Sequence, residues 1–154
     1  MEKLLHLVIF ILNEQQYALH LSSVDQIVRI VKITPLPKAP DIVYGVVNLK
    51  GKIIPVINIR KRFRLPEREI HLSDHLIIAK TSMRTVALLA DEVSRVVETT
   101  ASEVIESEKI LAYMDYVEGV VKLEDGLILI HDLDRFLSID EEKALGDALM
   151  EIQG

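Results

Sequence analysis

The chain has 154 residues, 49% of them hydrophobic, and Val and Ile fill 35 positions against seven Phe and Tyr and no Trp, a balance that favours strands over helices. Cysteine is absent, which excludes disulfides, thiolate metal sites and a cysteine nucleophile; the longest apolar run, Leu7 to Leu12, falls far short of a membrane span, and the N-terminus lacks the basic start of a signal peptide. The net charge of −6 is uneven: residues 29–64 carry nine Lys and Arg against the single acid Asp41, whereas residues 91–154 carry 17 acids against five bases. A soluble, cytosolic, strand-rich protein without membrane insertion is expected, dipolar if the fold keeps these segments apart.

The elements follow in chain order. Leu4 to Leu12 is almost continuously apolar, as a strand buried on both faces would be. Glu14-Gln15-Gln16 turns the chain into a strand over Tyr17 to Leu21. Ser22-Ser23-Val24-Asp25 has the composition of a short capped turn. Ile27 to Ile33 alternates apolar side chains with Arg29 and Lys32, predicting a half-exposed strand. Pro35, Pro37 and Pro40 then impose an extended connector. Gly45 to Leu49 and Ile53 to Ile57 form a hairpin around Lys50-Gly51, and Asn58 caps a single turn over Ile59 to Phe63. Later strands are expected at His75 to Lys80, Thr85 to Leu89, Arg95 to Glu98, Val117 to Leu123 and Leu127 to His131. The last two turn at Glu124-Asp125-Gly126, where Asp-Gly is a strong hairpin signal. Ser138 and Glu141 make a capping box. Leu145, Ala148, Leu149 and Ile152 then follow the stripe of an amphipathic helix that packs on the chain's own body.

The chain repeats itself. Gly45-Val46-Val47-Asn48-Leu49 recurs as Gly119-Val120-Val121-Lys122-Leu123 at an offset of 74, and the register continues through Ile54 with Ile128, Val56 with Ile130 and Asn58 with Asp132. Upstream, Ala18-Leu19 matches Ala87-Leu88 at an offset of 69, as do Val24 with Val93, Ile27 with Val96 and Val28 with Val97. The difference places about five extra residues in the polar stretch Thr99 to Lys109, which reads as a loop. A repeat present twice is a duplicated subdomain rather than a solenoid. Short strands joined by tight turns point to two small barrels packed together.

No catalytic constellation emerges. The six glycines build neither a dinucleotide fingerprint nor a P-loop. His71 and His75, with Asp74 between them, have helical metal-ligand spacing but lie where a polar turn enters a strand. Asp132 and Asp134 have the oxygens for a magnesium ion, yet Asp132 aligns with Asn58, and both read as caps of a short turn. Asp91 falls at a strand-to-turn junction. No cofactor, metal site or enzymatic activity is expected.

Several stretches carry a family resemblance. Tyr17-Ala18-Leu19, Val24-Asp25-Gln26-Ile27-Val28, Ile33-Thr34-Pro35-Leu36-Pro37-Lys38-Ala39-Pro40 and the run from Gly45 to Arg60 resemble the CheW family of chemotaxis coupling proteins. Ala90-Asp91-Glu92-Val93 and Gly119 through Leu133 resemble that family's second half. The likeness spans roughly residues 5–137. It implies one domain over residues 1–154, mainly β, with two five-stranded SH3-like barrel subdomains and a C-terminal helix. Subdomain one would cover about 14–72. Subdomain two would cover about 75–137 plus the N-terminal strand 4–12, and the helix 138–152.

The resemblance further implies a non-enzymatic adaptor between the cytoplasmic helical-hairpin tip of a chemoreceptor and the regulatory domain of a chemotaxis histidine kinase. It would be recruited to receptor arrays at the inner face of the membrane. Carried over by position, the partner-binding residues are Val24, Gln26, Ile27, Gly45, Asn48, Lys50 and Leu76. Four positions depart from the family pattern: Lys50 stands for Arg, Gln26 for an acid, Asn58 for Asp and Ala87 for Gly. Lys cannot reproduce the planar, two-pronged donation of Arg. The alternative is a small double-barrel nucleic-acid-binding module using the basic 29–64 segment. That segment supplies only Tyr44 and Phe63 for stacking.

Overall fold

The computed structural model describes residues 3–106, 117–124 and 126–153. Its strands are β1 (Leu4–Leu12), β2 (Gln15–His20), β3 (Val24–Arg29), β4 (Val43–Leu49), β5 (Lys52–Ile57), β6 (His75–Lys80), β7 (Thr85–Ala90), β8 (Glu92–Thr100), β9 (Val104–Glu106), β10 (Val117–Leu123) and β11 (Gly126–His131). Two helices join them, α1 (Ile59–Arg62) and α2 (Ile139–Gln153). The strands form a five-stranded sheet in the order β3-β6-β7-β5-β4 and a six-stranded sheet in the order β8-β1-β2-β11-β10-β9. The protein is thus mainly β with a C-terminal helix, as expected.

The duplication reaches down to register. Gly45 pairs with Val56, and a bulge separates this pair from Val43 with Ile57. In the second hairpin Gly119 pairs with Ile130, and the same bulge separates it from Val117 with His131. Every one of these positions is displaced by 74. Parallel pairing repeats too: Val56 lies opposite Ala87, and Ile130 lies opposite Ala18.

That parallel pairing overturns the expected subdomain boundaries. β2 falls within the expected subdomain one but pairs with β11 in the six-stranded sheet. β6 and β7 fall in the expected subdomain two but complete the five-stranded sheet. The first hairpin of each repeat joins the remaining strands of the other: β1–β2 the last four of the second repeat, and β6–β7 the last three of the first. The two copies have exchanged hairpins within one chain. A break at 72–75 therefore cuts through a sheet. The chain passes between sheets at Leu21–Ser23 and between Ala90 and Glu92.

Smaller differences are local. β3 begins at Val24 and ends at Arg29 rather than running from Ile27 to Ile33; the Ile30 amide makes a last rung to the Asp74 carbonyl (3.1 Å), beyond which the chain leaves the ladder. The 3-10 turn over Leu21–Ser23 has no side-chain cap. Within the expected loop Thr99 to Lys109, Val104–Glu106 forms β9 and pairs with β10; residues 107–109 lie outside the described residues, as does Asp125 of the second turn. β9 has a counterpart in the other sheet, where Thr34 makes an isolated bridge to Val46. Val46 and Val120 are repeat mates, and Val120 pairs with Ile105 of β9.

Strand alternation sorts the apolar side chains into three cores. Val47, Ile54, Val56, Leu76, Ile78, Ala87 and Leu89 fill the five-stranded sheet's own interior. Leu7, Ile9, Ala18, Val121, Ile128 and Ile130 fill that of the six-stranded sheet. The opposite faces meet between the sheets, where Phe10, Leu12, Tyr17, Leu19, Ile57, Ile77, Leu88 and Phe136 pack together. This is why β1, β6 and β7 are apolar on both faces. Each fully buried side chain of this size contributes about 1.5–3 kcal/mol of hydrophobic free energy before entropy is counted.

α2 closes the central core with Leu145, Ala148 and Leu149. Its capping box forms as read: the Glu141 amide donates to Ser138 Oγ (3.1 Å), and the Ser138 amide donates to Glu141 Oε1 (2.8 Å). No helix among the described residues is long and apolar enough to cross a membrane.

Candidate partner-binding surface

The carried-over residues fall into three groups. Val24, Gln26 and Ile27 lie on β3, the outermost strand of its sheet. Val24 pairs with Ala79 and Gln26 with Ile78, so Asp25 is the extra residue of a bulge. The bulge breaks the in-out alternation, and Asp25, Gln26 and Ile27 all face solvent. Val24 stays half-buried against the central core. Ile27 is 40% exposed, unusual for Ile on a strand.

Asn48 and Lys50 belong to the β4–β5 hairpin. Leu49 pairs with Lys52, leaving a two-residue loop in which Lys50 (φ 52°) and Gly51 (φ 88°) both have positive φ. That is the type I′ turn, whose twist matches the strands. The Gly51 amide donates to Asn48 Oδ1 (2.9 Å), so Asn48 holds the turn rather than standing free. Lys50 is exposed in a left-handed conformation that costs a non-glycine residue about 1–2 kcal/mol.

Gly45 and Leu76 are not at the surface. Gly45 is buried beneath Thr34, whose amide donates to the Val46 carbonyl (2.8 Å) while the Val46 amide donates to the Thr34 carbonyl (2.7 Å). Gly45 thus supports the surface from below. Leu76 is fully buried inside the five-stranded sheet, because β6 is its second strand and Leu76 points inward between Val28 and Leu89. It is in no position to touch a partner, which corrects that assignment.

The repeat identifies a residue that the carry-over omitted. Val96 on β8 is the mate of Ile27, and β8 is likewise outermost in its sheet. The burial patterns of residues 24–29 and 93–98 are identical, and Val96 is 53% exposed. The offset of 69 was the signal.

The fold does not keep the basic and acidic segments wholly apart, because three ion pairs join them. Of the nine cations in 29–64, Lys38 pairs with Glu151, Arg60 with Asp91 and Arg62 with Glu141. Arg29, Lys32, Lys50, Lys52, Lys61 and Arg64 make no ion pair among the described residues. All lie on or beside the five-stranded sheet. The acids Glu98 and Glu118 of the six-stranded sheet pair with His6 (2.8 Å) and His20 (2.9 Å).

Asp91 proves to be a hub. It accepts from Arg60 (2.5 Å), from Arg68 (2.6 Å) and from the Asn13 amide (3.0 Å), at the point where the chain crosses between sheets. Burial alone would raise its pKa, but hydrogen bonds from Arg60, Asn13 and Arg68 outweigh that and hold it below the ordinary carboxylate value. Arg68 also donates to Asp74 (2.7 Å), and Asp74 accepts from the His71 amide (2.8 Å). Asp74 therefore faces Arg68 and the backbone, and no group of three metal-ligating side chains occurs among the described residues. Asn58 accepts from the Lys61 amide (3.1 Å) and Asp132 from the Asp134 amide (3.1 Å), the paired caps the repeat called for.

The chain is similar to several known proteins. Residues 6–141 match the CheW-like domain family. The chain is 31% identical over 140 residues to the chemotaxis protein CheW of Bacillus subtilis, covering 90% of each chain. It is 28% identical over 147 residues to the chemotaxis protein CheW of Treponema pallidum, covering 92% of this chain and 86% of that one. The crystal structure of the scaffolding protein TtCheW from Thermoanaerobacter tengcongensis superposes with a TM-score of 0.80 at 30% identity, covering 92% of this chain and 91% of that one.

Proposed function

This chain belongs to the CheW-like family, and on that premise we propose that it is a non-enzymatic adaptor. It couples the cytoplasmic helical-hairpin tip of a chemoreceptor to the regulatory domain of a chemotaxis histidine kinase, at the cytoplasmic face of receptor arrays. The observation that carries this reading is the outer strand β3, with Ile27 exposed and the strand's outward side unpaired among the described residues. An edge strand with an exposed apolar side chain is a ready surface for another protein. Natural proteins shield such edges unless a partner does so. Arg29 ends this strand and Lys32 follows it, and Lys50 and Lys52 lie at the hairpin turn; none makes an ion pair among the described residues, and all four favour an acidic partner surface.

Calorimetric titration with cognate receptor-hairpin and kinase regulatory fragments tests the reading. Both are expected to bind, and Ile27→Asp is expected to weaken at least one of them without lowering the melting temperature. Association should slow as the Debye length falls from about 10 to 3 Å with added salt. Absence of binding to either fragment would refute the adaptor role. Salt-dependent binding of single-stranded RNA or DNA in the same titration would favour a nucleic-acid module instead.

A further inference from the structure

We propose that α2 carries a second, self-complementary face through which two copies of this chain associate, their α2 helices packed antiparallel about a two-fold axis. One stripe of α2 is buried in the central core. A different stripe, Ile139, Lys143, Asp147 and Met150, runs i, i+4, i+8, i+11 and lies on one side of the helix. These four residues line a groove of about 1180 Å³ whose far wall is the start of β5 and the β6–β7 turn, including Met83. Ile139, Met150 and Met83 are 88%, 71% and 68% exposed. Three large apolar side chains around one groove form a patch that a solvated helix face does not need.

The order along the stripe is apolar, positive, negative, apolar. Read in reverse, it is apolar, negative, positive, apolar. A two-fold axis crossing α2 level with residue 145 places Lys143 opposite Asp147 of the second copy, and Asp147 opposite its Lys143. The same axis sets Ile139 against Met150 of the second copy at both ends. This is the property an isologous interface requires.

Of the other four acids on α2, three are paired within the same copy, and Asp140, which makes no ion pair among the described residues, lies level with Met150 of the second copy rather than with an acid. Glu141, Glu142 and Glu151 are held by Arg62 (2.5 Å), Arg84 (2.5 Å) and Lys38 (3.2 Å) of the same copy. Lys143 and Asp147, although four apart, pair neither with each other nor with any other described residue. They are left for an intermolecular partner. No β3 residue lines the groove, although Gly51 and Lys52 of the β4–β5 hairpin do, and a failure of self-association leaves fragment binding at β3 untouched.

Sedimentation equilibrium of the full chain decides the matter. The apparent mass should rise with concentration from 17.4 kDa toward twice that value. Lys143→Asp and Asp147→Lys, each of which sets like charges opposite each other, should each weaken association at least tenfold. The double variant Lys143→Asp/Asp147→Lys restores both reciprocal pairs and should recover it. Thermal melts confirm that each variant is folded. A wild type that stays monomeric up to about 1 mM, a weak-binding limit, would overturn the proposal. So would single variants that dimerise like wild type, or a folded double variant that fails to recover. Protection of α2 from hydrogen exchange only when the kinase or receptor fragment is added would assign the groove to that partner's helix instead.

Discussion

The carbonyl oxygen of Thr34 lies 2.3 Å from where a β-carbon on Gly45 would stand, closer than any real side chain tolerates. The repeat mate Gly119 faces the same problem from Val104 Cγ1 at 2.6 Å and the Ile105 carbonyl at 2.9 Å. In each sheet a glycine lets a neighbouring backbone lie against the hairpin and stitch the sheet's edge.

Gly45→Ala should therefore destabilise the protein more than Gly119→Ala. At Gly45 the obstacle is backbone fixed by two hydrogen bonds, whereas at Gly119 the nearest atom is a methyl group. Overpacking of this kind costs about 1–3 kcal/mol, and Gly45→Ala should reach or exceed the upper end. Urea unfolding of both variants provides the comparison; equal midpoints would show that the Thr34 strand yields freely.

Lys50 trades stability for contact. Lys50→Asn removes left-handed strain and should raise stability by about 0.5–1 kcal/mol, because Asn-Gly is the preferred type I′ pair. Lys50→Glu should leave the melting temperature nearly unchanged, since an exposed unpaired charge contributes little. Both should weaken receptor or kinase binding, and Lys50→Arg should retain it. Melts and fragment titrations on the three variants measure each part separately.

Asp91→Asn should cost about 3 kcal/mol or more, because it leaves the buried Arg60 guanidinium without its carboxylate. The pH dependence follows from the lowered pKa of Asp91. The ion-pair stabilisation is complete above the unfolded carboxylate value near about 3.9 and is lost as pH falls through the lower folded value. Acid unfolding curves should be steeper below about pH 4 in the wild type than in Asp91→Asn.

His20 has the opposite sign. Its pKa is raised, chiefly by the hydrogen bond to Glu118, against the lowering effect of burial. Its contribution is complete below the unfolded value of about 6.5 and is lost as pH rises through the higher folded value. His20→Gln should remove that part of the fall in melting temperature above about pH 6.5, and unchanged curves would show that the pair carries no stability.

Periodicity, turn chemistry and the repeat determined most of the local structure. The apolar run Leu4 to Leu12 reads as a doubly buried strand because a strand between two cores has no polar face. Lys50-Gly51, Asn58, Asp132 and the Ser138–Glu141 box read correctly because each acts within a few residues. The motif run from Gly45 to Arg60 was legible as a family signature for the same reason. What only the tertiary structure decided were relationships between distant segments. Hydrophobic alternation states that β2 is buried but not which strand it pairs with, so the hairpin exchange between the repeats could not be read. Leu76 looked like a surface contact because its burial depends on β3 and β7 flanking β6. Asp91 looked like an ordinary junction because Arg60 and Arg68 stand 31 and 23 positions away. Backbone hydrogen bonds and ion pairs are chosen by proximity in space, and a one-dimensional pattern records only which side chains need shelter.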